Sequence, residues 1–286
     1  GADAVLRLGY AVTQSWMGDD LLLAGLILPV HSVGAEHEYL AEFTLRGTDQ
    51  QVSVGLTADW TLPGNSVLDG IDLAPLRLTP RVGSVTGRVD WERVLAPDLV
   101  VLTGMEAWFT LVPEADQLDY LRAPADGGRV SAGLRLAGSD WSAEGKGGVD
   151  LVWPKGLSAL TRTVPYISLM ASFVPMSGVT LALKGQTGVE LAGPVDGVAG
   201  RTAALDLGAT WLVTPEVALS AELSTRREWG LFDTSLERSV RMAMLSARYV
   251  LSERFKYRAT LSWSRHADPG ESYDKAGIAL SLIGSL

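Results

Sequence analysis

Between Glu38 and Leu62 the chain reads EYLAEFTLRGTDQQVSVGLTADWTL, two alternating runs joined by a tight polar turn. Tyr39, Ala41, Phe43 and Leu45 share one face of the first run, and Glu38, Glu42, Thr44 and Arg46 mostly take the other. In the second run Val52, Val54, Leu56, Ala58, Trp60 and Leu62 oppose Ser53, Gly55, Thr57 and Asp59. Successive strand side chains point to opposite faces, so the pattern predicts a β-hairpin with one greasy and one polar face.

The unit recurs along nearly the whole chain. Val101, Thr103, Met105, Ala107, Phe109 and Leu111 alternate against Gly104, Glu106 and Trp108. Val179, Leu181 and Leu183 alternate against Thr180 and Lys184, and Phe255, Tyr257, Ala259, Leu261 and Trp263 against Lys256, Arg258, Thr260 and Ser262. No comparable window carries a helical period over three turns, so little helix is expected. The connections fall into two alternating classes. Gly47–Gln50, Leu95–Asp98, Gly138–Asp140, Pro175–Gly178, Thr214–Glu216 and Ser252–Arg254 are short. Pro63–Pro75, Pro113–Gly128, Pro154–Val164, Ala192–Gly200, Glu228–Arg238 and Arg265–Lys275 are longer and richer in Pro, Gly and charge.

Aromatic positions test the same layout independently. Trp91, Trp141, Trp211 and Tyr249 lie near the short turns, and Tyr39, Trp60, Trp153, Tyr166 and Trp263 near the long-loop ends. Two bands of amphipathic rings separated by aliphatic residues match the two interfaces of a membrane slab. A soluble core would place its large rings mid-strand.

From about Asp20 to Leu286 the chain resembles bacterial outer-membrane β-barrel proteins as a class, on alternation, turn asymmetry and aromatic bands. The aromatic residue that usually ends such barrels is missing from the closing LSLIGSL. The resemblance implies an all-β, transmembrane, antiparallel up-and-down barrel of about fourteen strands (sixteen as the alternative). Its short turns are periplasmic and its longer loops extracellular. The implied partners are outer-membrane lipid and lipopolysaccharide, with other envelope proteins as further candidates and no nucleic acid.

Fourteen strands are expected from Leu21 onward, which makes residues 20–286 the barrel. Residues 1–19 are left as a lumenal segment, a periplasmic segment or an extra strand. The run Leu21 to Val30, LLLAGLILPV, reads as one strand apolar on both faces. Val67 to Leu78, which carries Pro75, is the segment where a further strand would hide.

Composition narrows the class further. The chain has 286 residues, 47% hydrophobic and 20% charged, with a formal net charge of -9 and no cysteine. Acidity argues against nucleic acid. The absence of cysteine excludes disulfides and thiolate metal sites and fits an exported chain. At ten residues, the longest apolar run is too short for a membrane-spanning helix. No charged segment followed by an apolar core opens the chain, so an exported form would already have lost its signal peptide.

If the greasy face meets lipid, function resides on the polar face and in the loops. Strand parity places Glu42, Arg46, Asp59, Arg88, Asp90, Glu106, Arg135, Glu144, Lys146, Lys184, Asp206, Glu222 and Arg258 on the lumen side, with Arg129, Arg226, Arg248 and Lys256 as further cations. The two signs balance, which fits either a hydrated pore or a charge-paired, closed interior. Trp108, Met170, Met242 and Met244 fall on the same parity and are the candidates for an apolar lumen patch. Passive passage of small solutes or a hydrophobic ligand is the expected function, and a structural or anchoring subunit of an envelope machine is the alternative. An enzyme ranks third, with no catalytic residue assigned: His37 beside Glu38, and His266 near Ser264 and Asp268, sit in no recognised motif. No cofactor or metal is expected. A calcium site at Glu114, Asp116 and Asp119 competes with the commoner meaning of such a cluster, solvated loop charge.

Overall fold

A computed structural model describes residues 3–23, 26–155, 161–191, 197–252, 255–268 and 271–284. The elements are β1 (Asp3–Leu23), β2 (Leu26–Arg46), β3 (Gln50–Leu62), β4 (Val67–Leu68), β5 (Ile71–Asp72), β6 (Val82–Ala96), β7 (Leu99–Leu111), α1 (Glu114–Asp119), β8 (Ala125–Ala137), β9 (Trp141–Pro154), β10 (Arg162–Met176), β11 (Val179–Glu190), β12 (Gly200–Leu212), β13 (Val217–Gly230), β14 (Glu237–Val250), β15 (Phe255–Asp268) and β16 (Glu271–Gly284). They form one antiparallel sheet of sixteen strands, ordered β16 to β6 and then β3, β2, β4 and β5, with β1 on the other edge of β2. No helix among the described residues is long and apolar enough to cross a membrane.

Alternation explains both the strands and what they expose. On β7, Met105 is 62% exposed while Leu102 and Trp108 on the opposite face are 2% and 6% exposed. On β12 and β13, Leu205, Leu207, Trp211, Leu219 and Leu223 are exposed on the apolar face. A continuous face of exposed aliphatic and aromatic groups on a hydrogen-bonded sheet suits hydrocarbon, where every backbone donor and acceptor needs an internal partner. Most of the long strands have 12 to 15 residues. A tilted strand needs roughly 9–11 residues to cross the hydrocarbon layer.

The short turns fall where the sequence places them. Gly47 N–H donates to Gln50 O (2.7 Å) and Gly138 N–H to Trp141 O (2.8 Å). Thr214 Oγ1 accepts the amides of Glu216 (3.2 Å) and Val217 (3.1 Å), closing the β12–β13 turn through its side chain. Gly178 adopts φ +81°, a conformation that a side chain strains.

The beginning of the chain departs from expectation. Leu21–Val30 is not one strand: it is divided between the end of β1 and the start of β2, which pair Leu23 with Leu26 and continue to Asp3 with Arg46. The run gives no polar turn signal, so periodicity alone merges the two arms. Residues 3–19 accordingly lie on β1, and the region 67–78 contains β4 and β5, each two residues long. Among the described residues the sheet has sixteen strands, fourteen of them at least twelve residues long and the other two the short β4 and β5. β1 and β2 each extend over 21 residues. Beyond the span that pairs with β3, β2 carries β4 at Val30 and His31 and accepts Gly64 N–H at Val33 O (3.0 Å).

Candidate functional site

The chain divides into two compact units, Gly1–Glu92, Gly104–Val130 and Leu151–Thr163 in the first, and Arg93–Thr103, Ser131–Asp150 and Val164–Leu286 in the second. The polar faces of the two differ in what covers them.

In the first unit the polar face is packed around Trp108 and Thr110. Trp108 lies across Gly127, where a Cβ would come within 2.2 Å of its Nε1, and Arg129 stands 5.4 Å from the ring centroid. Thr110 Oγ1 exchanges hydrogen bonds with the carbonyl and amide of Ala125, both 2.7 Å. The carboxylate of Asp116 on α1 is fully buried and clamps the preceding long loop. It accepts Arg77 Nη2 (2.7 Å), Arg81 Nη2 (3.0 Å) and the Arg81 amide (2.6 Å). Tyr120 Oη donates to the carbonyl of Arg77 (2.9 Å). Burial pushes the Asp116 carboxyl up, but the Arg81 and Arg77 hydrogen bonds outweigh it and hold the pKa down at about 2. Sequence reading grouped Asp116 with Glu114 and Asp119 as acidic loop charge; the structure commits it to two arginines instead. No run of sequence signals this contact, because 35 residues or more separate the partners.

The remaining lumen candidates of this unit are dispersed. Glu42 faces Arg7 across β1–β2 and Gly55 across β2–β3. Arg46 Nε donates to Gln51 Oε1 (3.0 Å), and Ser84 Oγ to Asp59 Oδ2 (3.2 Å). Arg88 pairs with Asp90. Glu106 shares the face of Trp108 and is half-buried.

The second unit brings the polar residues together. Arg135 Nε and Lys146 Nζ both reach Glu144, at 2.7 and 3.2 Å. Lys184 stands directly opposite Asp206 on β12 and Met170 on β10. Glu222 stands opposite Gly208 and Met244. Arg135, Glu144, Met170, Lys184, Asp206 and Glu222 line one hollow of about 610 Å³. Thr180, Lys184 and Gln186 on this face of β11 are exposed. Met242 and Met244 continue the face, opposite Ser264 and Ser262. Trp108, grouped with these methionines by parity, belongs to the packed face of the first unit.

Closer to the long loops the polar face is tied by ion pairs. Arg226 contacts Glu190 and donates through Nε to Glu228 (2.7 Å), and Arg238 Nε donates to Asp268 (2.6 Å). Asp150, fully buried, accepts the Val189 amide (2.7 Å). Ser264 Oγ hydrogen-bonds His266 Nε2 (3.0 Å), and Tyr273 stacks on the imidazole at 4.8 Å. Among the described residues no carboxylate holds His266, the element that would orient a base beside a nucleophile.

Of the aromatic candidates, Tyr39, Trp141, Trp153, Trp211, Tyr249 and Trp263 are exposed. Trp60 shares their apolar face and lies against Gly83, where a Cβ would come within 2.2 Å of the ring. Trp91 Nε1 donates to Gln50 Oε1 (3.5 Å). Tyr166 differs: on β10 it shares the face of Ser168 and Met170, away from exposed Ile167 and Leu169.

Neither a family model nor a curated protein matches the chain. Solved structures do. The FrpB iron transporter of Neisseria meningitidis (F5-1 variant) superposes with a TM-score of 0.56 at 9% identity, covering 93% of this chain and 51% of that one. The outer-membrane channel DcaP of Acinetobacter baumannii gives 0.52 at 13% identity, covering 100% and 98%. The copper transporter OprC gives 0.51 at 11%, covering 98% and 67%. The chain spans about half the length of the Neisseria transporter. Exposed apolar face, antiparallel sheet and these likenesses agree on one class: the fold is that of bacterial outer-membrane β-barrel proteins.

Proposed function

We propose that the sheet closes on itself as a transmembrane barrel, with its short turns periplasmic, and that small solutes pass passively through its polar interior. Closure removes the exposed sheet edges, which a membrane does not tolerate. The observation that carries the reading is the hollow lined by Arg135, Glu144, Lys184, Asp206 and Glu222. Its charges are of both signs and several of them are accessible, which is the surface a hydrated solute meets. Met170, Met242 and Met244 add polarizable, adaptable contacts for the apolar part of a ligand. Purified protein in a planar bilayer is expected to show steady conductance. Silence under conditions where the protein is folded and inserted would overturn passage.

A second reading is favoured by the first unit. There Trp108 and Thr110 on the polar face are buried and Asp116 ties the loops, as in a structural barrel that anchors envelope partners. Its test is co-purification of defined envelope proteins with a non-conducting barrel.

A further inference from the structure

Across the polar face of the second unit, several cations have acidic neighbours. Lys184 faces Asp206, Arg135 and Lys146 share Glu144, Arg226 meets Glu190 and Glu228, and Arg238 meets Asp268. Near the β14–β15 turn the pattern breaks. Arg248 and Arg258 stand directly opposite each other, flanked in register by Ala218 on β13 and Ser281 on β16. Among the described residues neither guanidinium has a carboxylate partner, and Arg248 Nε is shielded from solvent with no acceptor. Like charges directly opposed on a sheet destabilise it. The other opposed pair, Arg241 and Arg265, lies on the opposite face and is compensated in register by Asp274 beside Arg265.

The register adds a second feature. One row from the arginines toward the long loops, Thr180, Thr210, Ser220, Ser246 and Thr260 follow one another across β11 to β15. Ser220 and Ser246 are hydrogen-bonded at 2.6 Å. This row of hydroxyls is uncharged and both donates and accepts. It leads along the wall to the two opposed arginines.

We propose that Arg248 and Arg258 form an oxyanion subsite, which takes the carboxylate or phosphate group of a solute whose hydroxylated body rests on the row Thr180–Thr210–Ser220–Ser246–Thr260. Directly opposed residues on neighbouring strands place their side chains within reach of one small anion. Guanidinium groups bind carboxylate and phosphate oxygens through paired N–H donors. The subsite rests on the reading of the polar face as the wall of a water-filled interior, and it gives that interior a preference for anionic solutes at its short-turn end.

The test is ligand-dependent thermal unfolding of the detergent-purified full chain, at constant ionic strength with chloride as the reference anion. The probes are inorganic phosphate, acetate and a short-chain phosphatidate, on wild type, Arg248→Gln/Arg258→Gln and Arg258→Lys. A saturable rise in the unfolding midpoint with phosphate or acetate is expected in wild type. The double variant should lose it and Arg258→Lys should weaken binding about tenfold. The double variant without ligand is expected to unfold no earlier than wild type, which separates loss of the site from failure to fold. A wild-type response no greater than that to chloride, an equal response in the double variant, or a response to phosphatidate alone overturns the proposal. Conductance is read separately: a silent barrel that still binds phosphate defeats passage and leaves the subsite standing, and a conducting barrel without the phosphate response does the reverse.

Discussion

Strands β7 and β11 carry the same alternation and end in different environments. On β7 the polar-parity residues Trp108 and Thr110, which belong to the first unit, are buried. On β11 the corresponding residues Thr180, Lys184 and Gln186 are exposed. Trp108 and Thr110 lie against β8, at Gly127 and Ala125, and the first unit also contains the long loop that leads into β6 and the α1 segment, tied to each other through Asp116. Alternation determines which side chains share a face, and what packs on that face determines whether it meets water.

The largest expected effect of breaking this contrast is at Asp116. Asp116→Ala leaves the guanidiniums of Arg77 and Arg81 without their shared carboxylate and should cost about 2–4 kcal/mol in the loop assembly. Limited proteolysis should cut within 63–81 or 112–124 while the strands of the second unit stay protected. The same clamp weakens with acid. The folded-state pKa of Asp116 is lowered to about 2 from the ordinary value of 3.8. Its stabilisation is therefore fully present above pH 4 and is lost as pH falls through 4 towards 2. Loop protease sensitivity should rise in that window for wild type and be independent of it in Asp116→Ala.

Next in size is Gly127→Ala. A Cβ there would sit 2.2 Å from Trp108 Nε1, so the indole must move, at a cost of about 1–3 kcal/mol. A red shift of tryptophan emission reads the movement. Gly147→Ala in the second unit has open space within 4 Å and should change stability by less than about 0.5 kcal/mol. A smaller effect is expected at Glu144. Glu144→Gln removes the partner shared by Arg135 and Lys146, at about 1 kcal/mol on denaturant unfolding. Smallest in stability is Lys184→Gln, within about 0.5 kcal/mol because the side chain is exposed. Its effect should appear instead in the cation-to-anion permeability ratio across a bilayer. A destabilised Lys184→Gln with unchanged permeability would remove the distinction between the two faces.

Much of this architecture is legible in the sequence, and the reason is the period of two. It identifies the exposed apolar residues of β3, β7 and β11 to β15 and separates Lys184 and Asp206 from Leu183 and Leu207. It fails where both faces are apolar, and so the β1–β2 hairpin reads as one strand through Leu21–Val30. Nearness to a loop groups Tyr166 with the interface rings, whereas its parity is that of Ser168. The candidate site is legible only in part. Parity finds its residues, but register decides that Lys184 meets Asp206 and that Arg248 meets Arg258. The Asp116 clamp has no local signature at all, since Arg77, Arg81 and Asp116 meet only once the loops have folded.

The central claim is that the two faces of the second unit meet different solvents. The chain has no cysteine, so single cysteines report without background. Spin labels placed one at a time along 181–186 and 205–208 in lipid vesicles, with collision rates to oxygen and to a water-soluble nickel complex, test it directly. The account predicts strict alternation: positions 181, 183, 205 and 207 collide with oxygen, and 182, 184, 206 and 208 with the nickel complex. Uniform access to the nickel complex on both faces would contradict it.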